Sequence, residues 1–219
     1  MFHDRHRAAQ ITRVVIALVV WFALALQQYL IISRVPANGL TTLSAIGRFL
    51  IFFTILTNLL AAFCVTALLL SPRSRIGQFF ARPSTATAIA ADIFIVFLVY
   101  NLILRWIWAP TGPDRLADEL LHVVVPVLYI VYWILFVPKG TLKWSNSWTW
   151  CLYPALYLVY ALVRGKLEGF YPYPFLDIKV LGLQRVLFNS AGLIVLFMVT
   201  FFLIIWLDRI MRPTSLVKA

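Results

Sequence analysis

Acidic side chains are scarce in this chain. Its 219 residues hold eight Asp and Glu against nineteen Lys and Arg, and charged residues together make up 12%. Soluble domains average about 25% charged residues, so this composition leaves essentially no room for a soluble domain. Cysteine is equally thin: Cys64 and Cys151 are the only two, and both fall within apolar runs. That placement argues against a disulfide framework and against a thiolate metal site. Histidine occurs three times, and His3 and His6 lie in the first six residues. A single further histidine, His122, does not make a zinc hydrolase, whose sites draw on several His, Cys or acidic ligands. Phosphate-cradling glycine loops, nucleophile elbows and HExxH helices are absent too. No metal and no cofactor is expected.

What is present is apolar: 63% of the residues are hydrophobic and the mean hydropathy is +0.91. A helix needs about 20 mostly apolar residues to cross the hydrocarbon of a bilayer. Six runs qualify, over about 14–33, 48–70, 86–108, 120–138, 146–163 and 183–207. Breakers separate them: Pro36 and Gly39, Ser71 with Pro72, Pro110 through Pro113, Pro138 to Gly140, and Gly165 through Pro174. The expected architecture is all-α, a polytopic six-transmembrane-helix bundle forming one integral membrane domain over 1–219. The first run, from Val14 to Ser33, is long enough to span and lacks a clear small-residue cleavage site, so no cleaved signal peptide is expected.

A net charge of +11 would suit a nucleic-acid partner, but the basic residues sit in short loops and tails between the spans. They read as topology signals and lipid-headgroup contacts, with no nucleic acid involved. With the N-terminus inside, Arg5, Arg7, Arg13, Arg73, Arg75, Arg82, Lys139, Lys143, Arg209, Arg212 and Lys218 are cytoplasmic. Arg34, Arg48, Arg105 and Arg185 then fall at outer helix ends, and Asp114, Asp118 and Glu119 gather in one outer loop. This predicts an integral membrane protein with both termini in the cytoplasm.

Placing polar residues by depth, at about 1.5 Å per helical residue, brings most of them to one level. Gln27 and Gln28, then Thr54, Thr57 and Asn58, then Asn101 and Arg105 lie in the outer half of spans 1 to 3. His122 opens span 4, Tyr157 and Tyr160 lie toward the outer end of span 5, and Gln184, Arg185, Asn189 and Ser190 open span 6. Asp92, near the inner end of span 3, is the main exception. Polar groups at membrane depth are tolerated when buried in protein or lining a cavity. The set predicts a water-accessible pocket opening toward one face; for any one of these residues, helix–helix hydrogen bonding is the plainer role.

Imidazole is the usual acid or base at neutral pH. A hydroxyl beside it is the minimum for a hydroxyl nucleophile with a general base. Thr54 and Asn58 are four apart on one helical face, with Thr57 next to it. Asn58 or Asn101 would orient the base or donate to an oxyanion. Intramembrane threonine also bonds its own i−4 carbonyl, and histidine at a helix start also caps or packs. Between spans 5 and 6, RGKLEGFYPYPFLDIKVLG packs aromatics, prolines and an acid into a short loop. This predicts an ordered lid. Asp177 within it is level with His122 and would fix the imidazole tautomer, cap span 6, or pair with Lys179 or Arg185.

FFTILTNLL in span 2, LLHVVVPVLYIVYWILF in span 4, the WxxYPxxY pattern (Trp150, Tyr153, Pro154, Tyr157) and RGKLEGFYPYPFLD resemble the bacterial branch of the androgen-induced membrane protein family. The resemblance covers about residues 45 to 195. Animal members look like multi-span threonine hydrolases that cleave fatty acid esters of hydroxy fatty acids with one threonine and one histidine. The resemblance implies Thr54 as nucleophile and His122 as base. The animal motif places its Thr three residues before an Asn, whereas Thr54 stands four before Asn58, which makes Thr57 the alternative nucleophile. Tyr157, Tyr173 and Asn189 join the expected substrate-binding or supporting residues. The expected function is thus hydrolysis of a lipid ester drawn from the bilayer, with membrane lipids as partners and the oligomeric state open. A non-catalytic carrier or receptor for a hydrophobic molecule is the alternative, and a structural subunit of a membrane complex is a third.

Overall fold

The computed structural model describes residues 2–35 and 41–212, so Pro36, Gly39 and Lys218 lie outside the described residues. Among these every regular element is helical, and none is a strand. In hydrocarbon each backbone polar group needs an internal partner, which a helix supplies. The helices are α1 (Phe2–Ser33), α2 (Thr42–Leu50), α3 (Phe53–Leu70), α4 (Arg75–Ala81), α5 (Pro83–Leu102), α6 (Gly112–Glu119), α7 (Val125–Phe136), α8 (Asn146–Glu168), α9 (Ile178–Leu181) and α10 (Leu183–Ile210). A π turn, Leu120–Val124, joins α6 to α7 without interrupting the rod.

Among the described residues, five stretches are long and apolar enough to cross a membrane: Asp4–Ser33, Phe53–Leu70, Pro83–Trp106, Gly112–Phe136 and Leu183–Ile210. The run expected over 146–163 is α8, whose 23 residues suffice in length. Its tryptophans, tyrosines and polar residues keep it out of that apolar set. Two boundaries differ from expectation in ways that shape the site. The run 48–70 is two helices, broken at Ile51 and Phe52. The helix expected to begin near 120 begins at Gly112, with Pro113 in its first turn where a missing N–H costs nothing.

α1, α3, α5 and α7 form a ring in which each helix packs on the next and α7 closes onto α1. The α8–α10 pair leans on this ring through α10 and α5. Buried small residues, Ala61 and Ala62 on α3 and Ala90 and Ala91 on α5, suit close helix approach. Side-chain hydrogen bonds tie the ring: Trp21 Nε1 donates to Thr66 Oγ1 at 3.0 Å, and Trp133 Nε1 to Thr87 Oγ1 at 2.8 Å. The outward faces are apolar, with Leu18, Phe22, Leu135, Val159 and Val195 exposed. The apolar outer faces suit lipid, while the interior, mostly apolar, also holds polar residues such as Thr54, Thr57, Asn58 and Asp92.

The break between α2 and α3 exposes carbonyls at one helix end and N–H groups at the other, which need outside partners. α8 serves the carbonyls. Tyr157 donates to Ile51 O at 3.0 Å, Tyr160 to Leu50 O at 3.3 Å, and Arg164 Nη1 to Gly47 O at 2.7 Å. On the other side of the break, Thr54 stands in the first turn of α3 with its N–H aimed at the phenol of Tyr173, 3.4 Å away.

Candidate active site

Thr54 Oγ1 lies 3.3 Å from His122 Nε2. The other imidazole nitrogen, Nδ1, lies 3.0 Å from Asp118 Oδ1 and 2.9 Å from the Asp118 carbonyl oxygen. Both of those partners accept only, so Nδ1 carries the proton and Nε2 is free to accept from the threonine hydroxyl. The second carboxylate oxygen of Asp118 accepts from Tyr100 OH. The Tyr100 ring stacks on the imidazole, with centroids 4.3 Å apart and planes 15° apart. Arg105 lies over the same tyrosine ring and pairs with Glu119 at 2.7 Å. The imidazole therefore has one orientation, fixed by a carboxylate at one edge and an aromatic face alongside.

The π turn explains how His122 reaches Thr54. Pro126 brings no N–H, and the Val125 N–H bonds Leu120 O instead of Leu121 O. The Leu121 carbonyl is left without a backbone donor. Asn58 Nδ2 supplies one at 3.1 Å while also bonding Thr54 O at 2.8 Å. One fully buried amide thus clamps the helix that carries Thr54 to the turn that carries His122. Without it, Leu121 O would be a buried unsatisfied acceptor, a cost of about 1–3 kcal/mol. π turns inside helices recur at functional sites, and here the extra residue sets the angle at which His122 leaves the rod.

A cavity of about 570 Å³ opens onto this chain of groups. Gln27, Asp114, Asp118, His122 and Asp177 give it polar points within aromatic and aliphatic walls. Its volume is in the range of small-ligand sites, and its mixed lining is typical of them. The loop from Phe170 to Pro174 forms part of the wall, as an ordered lid. The lid is held at three places: Asn189 Nδ2 donates to Phe175 O at 2.9 Å, Lys179 Nζ donates to Gly169 O at 3.0 Å, and the Tyr171 ring seats on Gly165. A Cβ on Gly165 would stand 2.2 Å from that ring. Behind Thr54 lies a smaller, apolar pocket of about 50 Å³, and Thr54 and Tyr173 line both spaces.

The remaining expected residues divide. Thr57 does not face His122; it is fully buried and hydrogen-bonds Tyr153 OH at 3.0 Å, bracing α3 against α8. Asn58 neither orients the imidazole nor points at a reacting atom, because its amide nitrogen holds the two carbonyls. Asn101 bonds Phe97 O of its own helix at 2.8 Å and takes no part in the site. Asp177 reaches the cavity wall but caps α9, accepting from the Lys179 N–H at 2.8 Å, and makes no hydrogen bond to His122. Tyr157 repairs the helix break, Asn189 pins the lid, and Tyr173 stands at the threonine. Asp118 and Tyr100 are additions. Asp118 was expected in an outer loop with Asp114 and Glu119; instead all three lie on α6, and the four-residue spacing to His122 puts the carboxylate on the imidazole's face. No family model, no curated protein and no solved structure matches this chain.

Proposed function

We propose that this protein is an intramembrane lipid ester hydrolase in which Thr54 is the nucleophile, His122 the general base and Asp118 the residue that orients and stabilises the imidazole. The single observation behind this reading is the hydrogen-bonded chain Thr54–His122–Asp118 opening onto a large, partly apolar cavity. Thr54 Oγ1 attacks the ester carbonyl carbon as its proton passes to His122 Nε2. Asp118 stabilises the imidazolium. His122 then protonates the departing alcohol, leaving an acyl-threonine. Water, deprotonated by the same nitrogen, attacks the acyl carbon; the bond to Thr54 Oγ1 breaks, His122 returns the proton to that oxygen, and the acid is released. The polar points and apolar walls suit an amphipathic ester, and the family resemblance suggests fatty acid esters of hydroxy fatty acids. α8 is proposed as the sixth span: at about 1.5 Å per residue its length exceeds the hydrocarbon thickness of about 30 Å, and it packs along α10. The bias of basic residues toward the end opposite the site supports cytoplasmic termini, and the resemblance to a bacterial family branch suggests a bacterial inner membrane.

The test uses purified protein in detergent, with branched fatty acid esters, aryl esters and a fluorophosphonate probe. Wild type is expected to turn over ester and to be labelled on Thr54. Thr54→Ala and His122→Ala are each expected to lose turnover, since general-base help alone is worth about 10²–10⁴-fold. Unchanged turnover in both variants would overturn the mechanism. Lipid binding by wild type without any turnover would make the protein a carrier.

A further inference from the structure

Tyr173 is the one lid residue whose polar atom reaches the nucleophile. Its hydroxyl lies 3.4 Å from Thr54 Oγ1 and accepts from the Thr54 N–H at 3.4 Å. An oxygen that accepts from an N–H must send its own proton elsewhere, and Thr54 Oγ1 is within reach. Thr54 Oγ1 in turn needs its proton directed to His122 Nε2, so the two hydroxyls need not compete. Burial pushes the phenol above its ordinary titration range, which keeps it a donor at neutral pH. The ring is held firmly for a loop residue. It stacks on Phe175 with centroids 5.1 Å apart and planes 7° apart, and it meets the edge of Phe52 at 6.0 Å.

Resting on the hydrolase reading above, we propose that Tyr173 is a catalytic residue whose phenol donates to the oxyanion of the tetrahedral intermediate. When the ester carbonyl carbon bonds Thr54 Oγ1, the developing oxyanion lies two bonds from that oxygen, in the neighbourhood the Tyr173 hydroxyl already reaches. The Tyr173 hydroxyl lies 3.4 Å and His122 Nε2 3.3 Å from Thr54 Oγ1, so the threonine has a phenol donor and an imidazole base both within reach. A donor positioned before the reaction, in a site screened from water, needs no reorganisation as charge develops. The donor comes from the lid and the nucleophile from α3, so the electrophilic half of the site is complete only with the lid docked.

The experiment compares wild type, Tyr173→Phe and protein carrying 3-fluorotyrosine at 173, each assayed in detergent on an aryl ester and a long-chain ester. Loss of one oxyanion donor costs about 10²–10³-fold in kcat, and that loss with KM little changed is expected for Tyr173→Phe. The fluorinated phenol, the same shape with a more acidic proton, is expected to retain turnover with a shifted kcat and an unchanged KM. A packing role would leave the fluorinated protein at the wild-type kcat. Active wild type with an unaltered kcat in Tyr173→Phe overturns this inference and leaves the hydrolase reading standing. If Tyr173→Phe does not fold, an unaltered kcat in the fluorinated protein overturns it equally. Wild type without turnover overturns both.

Discussion

At the scale of single residues, the arrangement turns on which atoms a carboxylate can reach. Asp118 holds the imidazole by both its side chain and its carbonyl, so Asp118→Asn would place an amide against Nδ1 and favour the wrong tautomer. A fall in kcat of about 10²–10⁴-fold is expected, with the thermal unfolding midpoint near that of wild type. Steady-state kinetics beside a melting curve in detergent check both halves. A similar loss of midpoint and rate would make Asp118 a folding residue instead. Thr54, His122 and their common depth were legible in the sequence, because helical rise and span order alone bring them level. Asp118 was equally visible as an acid four residues before a histidine. It was misread because the prolines at 110 and 113 suggested a loop, whereas proline in a first helical turn starts a helix. For Asp177 the sequence left capping open beside the imidazole role, and capping is what the structure shows. An aspartate just before a short helix serves the backbone N–H groups first, and that need is local.

At the scale of elements, the lid depends on a missing side chain. Gly165 is in the middle of a helical turn of α8 and needs no special backbone angle there; it is glycine because the Tyr171 ring occupies the space of a Cβ. Gly165→Ala is expected to displace Tyr171, loosen the segment 169–177 and lower turnover. Limited proteolysis should then cut within that segment faster than in wild type, and an unchanged cleavage rate would refute the seating. The ordered lid was readable from its prolines and aromatics. The break between α2 and α3 was not, since Leu50, Ile51, Phe52 and Phe53 continue an apolar run with no glycine or proline. Its cause is tertiary: hydroxyls and a guanidinium from α8, far along the chain, supply the hydrogen bonds that make the break tolerable. The π turn belongs to the same class, because only the partner amide on α3 makes an orphaned carbonyl acceptable.

At the scale of the whole molecule, the two ends do different work. The end opposite the site is closed by Asp208, fully buried, which accepts from the N–H groups of Gly140 at 2.9 Å and Leu142 at 3.3 Å. Lys139 lies in the same loop, and burial pulls its ammonium down to about 8 against the opposing charge of Asp208. Its titration is therefore lower in the folded than in the unfolded chain, and between about 8 and 10.5 the unfolded chain binds more protons. Stability from this group should rise with pH across that window and be flat below it. Thermal midpoints of wild type measured against Lys139→Met across the window check the sign; parallel curves would refute it. The lid carries a further consequence, in the order of synthesis. Chains emerge N-terminus first, and Thr54, Asp118 and His122 all precede Phe136. The lid and its anchor Asn189 are translated afterwards. A nascent chain thus holds Thr54 and His122 well before it holds the segment that walls their cavity, and the ribosome completes the roof last.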